Sequence, residues 1–264
     1  MMKVENKRVM AVGAHPDDVE FMCSGTLRLL KEKGFDIFIC VLSNGDCGSM
    51  VEPPENITRI RRHEALDAAK LLGAELYPMG ELDLRITFDN RTQDKITELV
   101  RMVDPLMVFT HPHEDYMADH EMTSRLVRHA CFAAPIPNYM TYTTMPSPRT
   151  YAIPTLYYWS PLDGLDIYGN FVHQSIYVDI TPVVSFKAEM LSCHKSQRDW
   201  LFEQHGIDKY IELMKSTGKL YGKECGFEYA EGFRQHLGNA YPRENLLGKI
   251  LGKSVKKKNT KEEK

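Results

Sequence analysis

Apolar residues follow two rhythms along the chain. Val9 to Ala14, Phe35 to Leu42, Leu106 to Thr110, Thr155 to Trp159 and Ser175 to Ile180 are short, largely apolar runs, and Glu75 to Met79 is a weaker one. They have the length and composition of strands in a covered sheet. Between them, apolar positions recur at helical spacing over Val19 to Lys33, Ile57 to Leu72, Thr92 to Val103 and Glu121 to Phe132. Gly34 and Gly73 stand where the first two of these patterns stop, as helix C-caps do, and Thr58 is placed to cap the second. Thr181-Pro182 opens a further helix reaching about Cys193. Strand, helix and strand with short joints make a βαβ unit. The expected fold class is therefore α/β, a mostly parallel sheet flanked by helices on both faces. Residues beyond Cys193 read as helical, and Lys253 to Lys264 as a frayed or disordered tail. No Pro/Gly/Ser-rich linker interrupts the pattern, so 1–264 is expected to be a single domain with its core at about 8–235.

In an open α/β sheet the loops after the strands share one edge, where ligands bind. The first is Gly13-Ala14-His15-Pro16-Asp17-Asp18. The second, Ser43 to Asn56, is rich in Gly, Asp, Ser and Pro, and the third, Gly80 to Asn90, holds Asp83 and Arg85. The fourth, His111-Pro112-His113-Glu114-Asp115-Tyr116-Met117-Ala118-Asp119-His120, is dense in histidine and carboxylate and should face the first. Residues 133–152, proline-rich with tyrosines and methionines, are too long for a plain connector and are expected to form a substrate-facing flap.

Histidine and carboxylates crowded at strand ends would carry a large desolvation cost if unpaired, and a divalent cation relieves it. Three protein ligands with an open position make a catalytic zinc site. His15, Asp18 and His120 supply such a trio, and Asp17 is left beside it, placed to take a proton from an attacking water. An isolated His-Pro-Asp-Asp is more often a turn whose aspartates cap a helix. The second histidine-rich loop reverses that weighing. Arg59, Arg61 and Arg62 read first as a solvated helix face, although a guanidinium at the crevice could bind substrate. The aromatics and methionines of 132–159 read as packing, and the cysteines as inert small hydrophobes.

The formal net charge of -3 and pI near 6.4 give no nucleic-acid or membrane surface, because the one basic cluster, Lys256-Lys257-Lys258, is diluted by Glu262 and Glu263. Six scattered cysteines without a Cys-x-x-Cys pair point to a reducing cytoplasm rather than a disulfide framework. About six apolar residues follow the charged N-terminus, too few for a signal peptide or a membrane span.

Ala14-His15-Pro16-Asp17-Asp18 after a strand, paired with Asp119-His120 after the fourth, resembles the LmbE-like or PIG-L family of zinc-dependent N-deacetylases. Weaker matches are Arg61-x-x-Glu64 before Leu72-Gly73, and His194-Lys195-Ser196-Gln197. The resemblance implies a Rossmann-like fold and removal of the acetyl group from N-acetylglucosamine conjugates and related amino sugars. It also implies one Zn2+ per chain, or another divalent ion, held by His15, Asp18 and His120, with Asp17 as general base. The family's second motif commonly reads His-Pro-Asp-His, whereas here it is Met117-Ala118-Asp119-His120, and methionine can neither stabilise an oxyanion nor protonate a leaving amine. His113 is the first candidate to replace that histidine, with His111 and His194 behind it. Arg61, Arg62, Asp83 and Arg85 are candidate sugar contacts, carboxylate and guanidinium groups being suited to hydroxyls. Two other readings stay open: hydrolysis of a different small amide, and a catalytically weak metal- or sugar-binding relative. A nucleotide-binding module is disfavoured, since the first turn lacks Gly-x-Gly-x-x-Gly and its carboxylates would repel a pyrophosphate. Self-association into a homo-oligomer is left open.

Overall fold

The computed structural model of the chain describes residues 6–143, 146–198 and 209–258. Its strands are β1 (Arg8–Gly13), β2 (Asp36–Ser43), β3 (Glu75–Glu81), β4 (Met107–Thr110), β5 (Thr155–Trp159), β6 (Ile176–Asp179), β7 (Ala230–Gln235) and β8 (Val255–Lys257). They form one sheet in the order β3-β2-β1-β4-β5-β7-β6-β8. The pairings from β3 through β5 are parallel, whereas β7 runs antiparallel to β5 and β6, and β8 antiparallel to β6. The helices are α1 (Asp18–Met22), α2 (Ser24–Glu32), α3 (Pro54–Leu72), α4 (Asn90–Val103), α5 (Ala118–Ala133), α6 (Val184–Leu191), α7 (Lys209–Cys225) and α8 (Leu246–Leu251).

The central strands read as continuous apolar runs because both faces are covered. Side chains alternate across a strand. Val9 and Ala11 join Ile37, Ile39, Met107 and Phe109 in one core. Met10 and Val12 join Cys40, Leu42, Val108 and Leu156 in the other. The strand order reverses between β1 and β4, so their following loops diverge and leave a crevice at the carboxyl edge.

Several elements differ from the sequence expectation. The helix expected over Val19 to Lys33 is two helices, α1 and α2, parted at Cys23. A buried carboxylate on β7 explains the restart: Glu231 accepts from the backbone N–H groups of Gly25 (2.9 Å) and Thr26 (2.7 Å) in the first turn of α2, and pairs with Lys187 at 2.5 Å. Replacing Glu231 by alanine would leave Lys187 buried without a counter-charge. The expected loss of unfolding free energy is about 3–5 kcal/mol, read from urea denaturation.

Helix α3 starts at Pro54 rather than near Thr58, because a first-turn proline needs no N–H partner; Gly73 ends it in the left-handed conformation at φ 67°. The region past Cys193 is not wholly helical: it supplies β7 and, from the expected tail, β8. Both are short and carry charges, so nothing in their pattern marks them as strands. The rest of that tail, 259–264, lies outside the described residues. The 133–152 segment is not a flap over the crevice where it is described, since α4 holds it. Arg101 donates to the carbonyls of Ala134, Ile136 and Tyr139, and Glu98 accepts from the Thr141 hydroxyl and the Ser147 N–H. No helix among the described residues is long and apolar enough to cross a membrane.

Candidate metal centre and active-site cavity

A cavity of about 500 Å³ opens at the carboxyl edge of the parallel strands, lined by residues from the loops after β1 to β5, from the end of β5, from α1, α3 and α5, and by Gln197, Tyr210 and Leu213. Its polar wall begins where β1 ends. Asp17 adopts φ 113°, a conformation that side-chain-bearing residues seldom take, and α1 starts at the next residue. Backbone strain of this kind persists where the surroundings impose it and is concentrated at functional sites. The turn is closed by the His15 N–H donating to Asp18 Oδ2 at 2.7 Å.

The side chains of His15, Asp18 and His120 converge, with one ligand atom from each lying within 4.8 Å of the others. His15 Nδ1 is 3.6 Å from Asp18 Oδ2, and His120 Nε2 is 3.6 Å from Asp18 Oδ1. Each ring is gripped from behind by another carboxylate: His15 Nε2 meets Asp119 at 3.1 Å, and His120 Nδ1 meets Asp115 at 2.8 Å. Metal-ligating histidines are held this way, with one nitrogen on a carboxylate and the other turned inward. His111, Asp115 and His120 form an overlapping group. The first group fits an ion better, because Asp115 is already engaged with His120.

Charge distribution agrees with that geometry. Burial disfavours the Asp18 carboxylate, but His120 and His111 beside it hold its pKa well below the usual range. Burial also works against a charged His15, yet Asp119 and Asp18 raise its pKa to about 10. His111, fully enclosed and next to His120, is pushed down to about 4. Metals bind the neutral ring. The metal-free protein should therefore release at least one proton on loading a divalent ion at pH 7, and its apparent affinity should rise with pH up to about 10. Ion titration in weakly buffered solution with a pH indicator measures this. Asp119→Asn, which weakens the grip on His15, is expected to lower metal affinity about 10- to 100-fold in a chelator competition.

Asp17 is buried beside this group. Its Oδ2 accepts from the Tyr210 hydroxyl at 2.6 Å and lies 3.4 Å from Arg61 Nη2, which also donates to the Pro16 carbonyl at 2.6 Å. Burial raises the Asp17 pKa, with Arg61 opposing. The second loop closes tightly over the guanidinium. A Cβ at Gly45 would meet Arg61 at 2.7 Å and one at Gly48 at 2.5 Å, so a side chain at either position would have to displace the guanidinium.

The structure thus brings His15, Asp17, Asp18, Arg61, Asp83, His111 and His120 to the cavity. Asp83 is occupied in pinning the second loop, accepting from the N–H groups of Gly45 (2.8 Å) and Cys47 (3.0 Å). His113 is not brought there. It shares a hydrogen bond with Ser124 at 3.1 Å and lies against the Tyr158 ring. Arg62 and Arg85 are exposed and do not line the cavity. His194 is fully buried behind Asp17 rather than in the lining, with Nε2 3.4 Å from Glu20. The two weaker motifs meet in one brace. Arg61 engages Asp17 while Glu64, one turn on, accepts from the Ser196 N–H and hydroxyl at 2.8 and 2.6 Å. Sequence reasoning missed Tyr210, which lies 193 residues from Asp17, and the parts played by Asp115 and Asp119. Asp119 had one signal, its place beside His120.

Fold and site together define an α/β protein with a crevice at the topological switch point that gathers a candidate metal-holding group. Residues 10–131 match the PIG-L family, described as GlcNAc-PI de-N-acetylase. The chain carries a PIG-L, or LmbE-like, family domain over that stretch, which contains both motif-bearing loops. Over 260 residues it is 25% identical to the 4-oxalmesaconate hydratase of Pseudomonas putida, covering 93% of this chain and 94% of that protein. Over 237 residues it is 24% identical to the diacetylchitobiose deacetylase of Thermococcus kodakarensis, covering 86% and 82%. The solved structure of the N,N'-diacetylchitobiose deacetylase from Pyrococcus horikoshii matches with a TM-score of 0.75 at 23% identity, covering 92% and 89%, a likeness of fold.

Proposed function

We propose that the chain is a zinc-dependent hydrolase that removes the N-acetyl group from an N-acetylglucosamine-type amino sugar or its conjugate, releasing acetate and a free amine. The observation that carries this reading is the inward convergence of His15, Asp18 and His120 with Asp17 clamped beside them. Those three residues would hold one divalent ion, and two imidazoles with one carboxylate suit zinc with a position left open. When bound, the ion supplies Lewis acidity, polarising the amide carbonyl and acidifying a water. Asp17 performs the proton transfers. Tyr210 and Arg61 both engage its Oδ2, leaving Oδ1 to take a proton from the attacking water. As the C–N bond breaks, that proton passes to the departing nitrogen and Asp17 returns to its ionised form. One carboxylate acting as base and then acid supplies the amine's proton, which Met117, at the place where the resemblance has histidine, does not.

The name of the Pseudomonas relative suggests a hydratase acting on a carboxylate-rich substrate. Such a substrate calls for free cations beyond the one ion, since a single open position meets only one of its carboxylates. Among the described residues of the cavity lining, Arg61 is the one lysine or arginine, and it is committed to Asp17 and Pro16. The six cysteines are free thiols, which supports a reducing cytoplasm as the location. Zinc-loaded protein assayed for acetate release across N-acetyl amino sugars and their glycosides tests the activity. Stoichiometric metal without acetate from any of them would overturn it in favour of a binding protein.

A further inference from the structure

The charged wall forms only part of the cavity lining; Leu84, Tyr116, Met117, Trp159, Leu162 and Leu213 contribute an apolar part. Two of these break local rules. Leu84 has φ 61°, the left-handed conformation in which Gly or Asn is normally found. Its backbone N–H donates to Asp119 Oδ2 at 2.6 Å, which explains the conformation but not the side chain, since a glycine would donate equally well. Packing does not explain the side chain either, because Leu84 is 65% exposed. Met117 occupies the N-cap of α5 and makes no capping hydrogen bond, where Ser, Thr, Asp or Asn would satisfy an open N–H. At both positions an apolar side chain facing the cavity replaces the residue that local structure favours, and such departures concentrate at functional sites.

From this we infer that the cavity takes, beside the acetamido group, an uncharged apolar substituent such as an alkyl or aryl aglycone, with Leu84 setting the preference. The inference rests on the deacetylase reading and narrows its substrate class. A phosphate or carboxylate at the same place would find no free cation among the described lining residues, and it would face Asp17, Asp18, Asp83 and Asp115.

The test compares kcat/KM of the zinc-loaded full chain for the methyl and phenyl β-glycosides of N-acetylglucosamine and for its 1-phosphate. The phenyl glycoside should exceed the methyl by about tenfold or more, on the scale of selectivity in apolar pockets, with the phosphate below both. Leu84→Asn, which suits the left-handed backbone, should lower the phenyl-to-methyl ratio several-fold without lowering the melting temperature, and Leu162→Asn should also lower the ratio. A ratio near one, a preference for the phosphate, or a ratio unchanged in both variants would overturn the inference. If none of the three releases acetate, the deacetylase reading fails, and calorimetric binding of the same compounds still decides the point: phenyl tighter than methyl supports it, whereas equal binding or tighter phosphate overturns it.

Discussion

Asp17→Asn is expected to lower turnover by about 10³-fold, within the span that proton-transfer groups contribute, while the protein keeps its metal. Asparagine preserves the shape of the side chain and can still accept from Tyr210, so the fold at the end of β1 should survive. It loses the capacity to take a proton. Steady-state acetate release with metal content measured on the same preparation checks both halves. A variant that kept most of its activity would remove Asp17 from the proposed mechanism. A variant that lost its ion as well would move Asp17 into the ligand set. Tyr210→Phe is the companion measurement: the carboxylate remains ionisable but loses its 2.6 Å partner, so its deficit should be the smaller of the two.

His120→Ala should release the ion and with it all measurable turnover. This residue is one of the contacts between the two loops, with Nε2 near Asp18, while Asp115 of its own loop holds Nδ1. Loss of an outer carboxylate that merely orients a ligand weakens metal binding about 10- to 100-fold, so loss of the ligand itself should exceed that. Elemental analysis after dialysis against a mild chelator gives the metal content. Circular dichroism separates ligand loss from unfolding, since His120 sits in the first turn of α5 and alanine is compatible with that helix. Metal retained at wild-type stoichiometry would shift the centre to other ligands.

Arg61 and Arg62 show where reading along the chain stops. They are neighbours with the same chemistry, yet Arg61 is buried against Asp17 and Arg62 is exposed, because successive residues of a helix point about 100° apart. Which side faces the crevice depends on how α3 packs. His111 and His113 divide in the same way, one beside Asp18 and the other against Tyr158 and Ser124. The proline-rich segment after α5 looked like a lid from its composition, but its place is set by Glu98 and Arg101 on α4, contacts that composition does not encode.

By itself, the amino-acid sequence determined the alternation of strands and helices, the parallel core of the sheet, and the pairing of His15-Pro16-Asp17-Asp18 with the loop that ends in His120. These follow from desolvation of contiguous apolar runs and from the rule that loops after parallel strands gather at one edge. Only the tertiary structure decided that Tyr210 holds Asp17, that Asp115 and Asp119 orient the two histidines, that Glu231 restarts α2, and that β7 and β8 extend the sheet. Tyr210 and Glu231 act on residues about two hundred positions away, and β7 and β8 are short strands carrying charge. A single hydrogen bond to a buried carboxylate leaves no periodicity in the sequence, so its partner is chosen by packing.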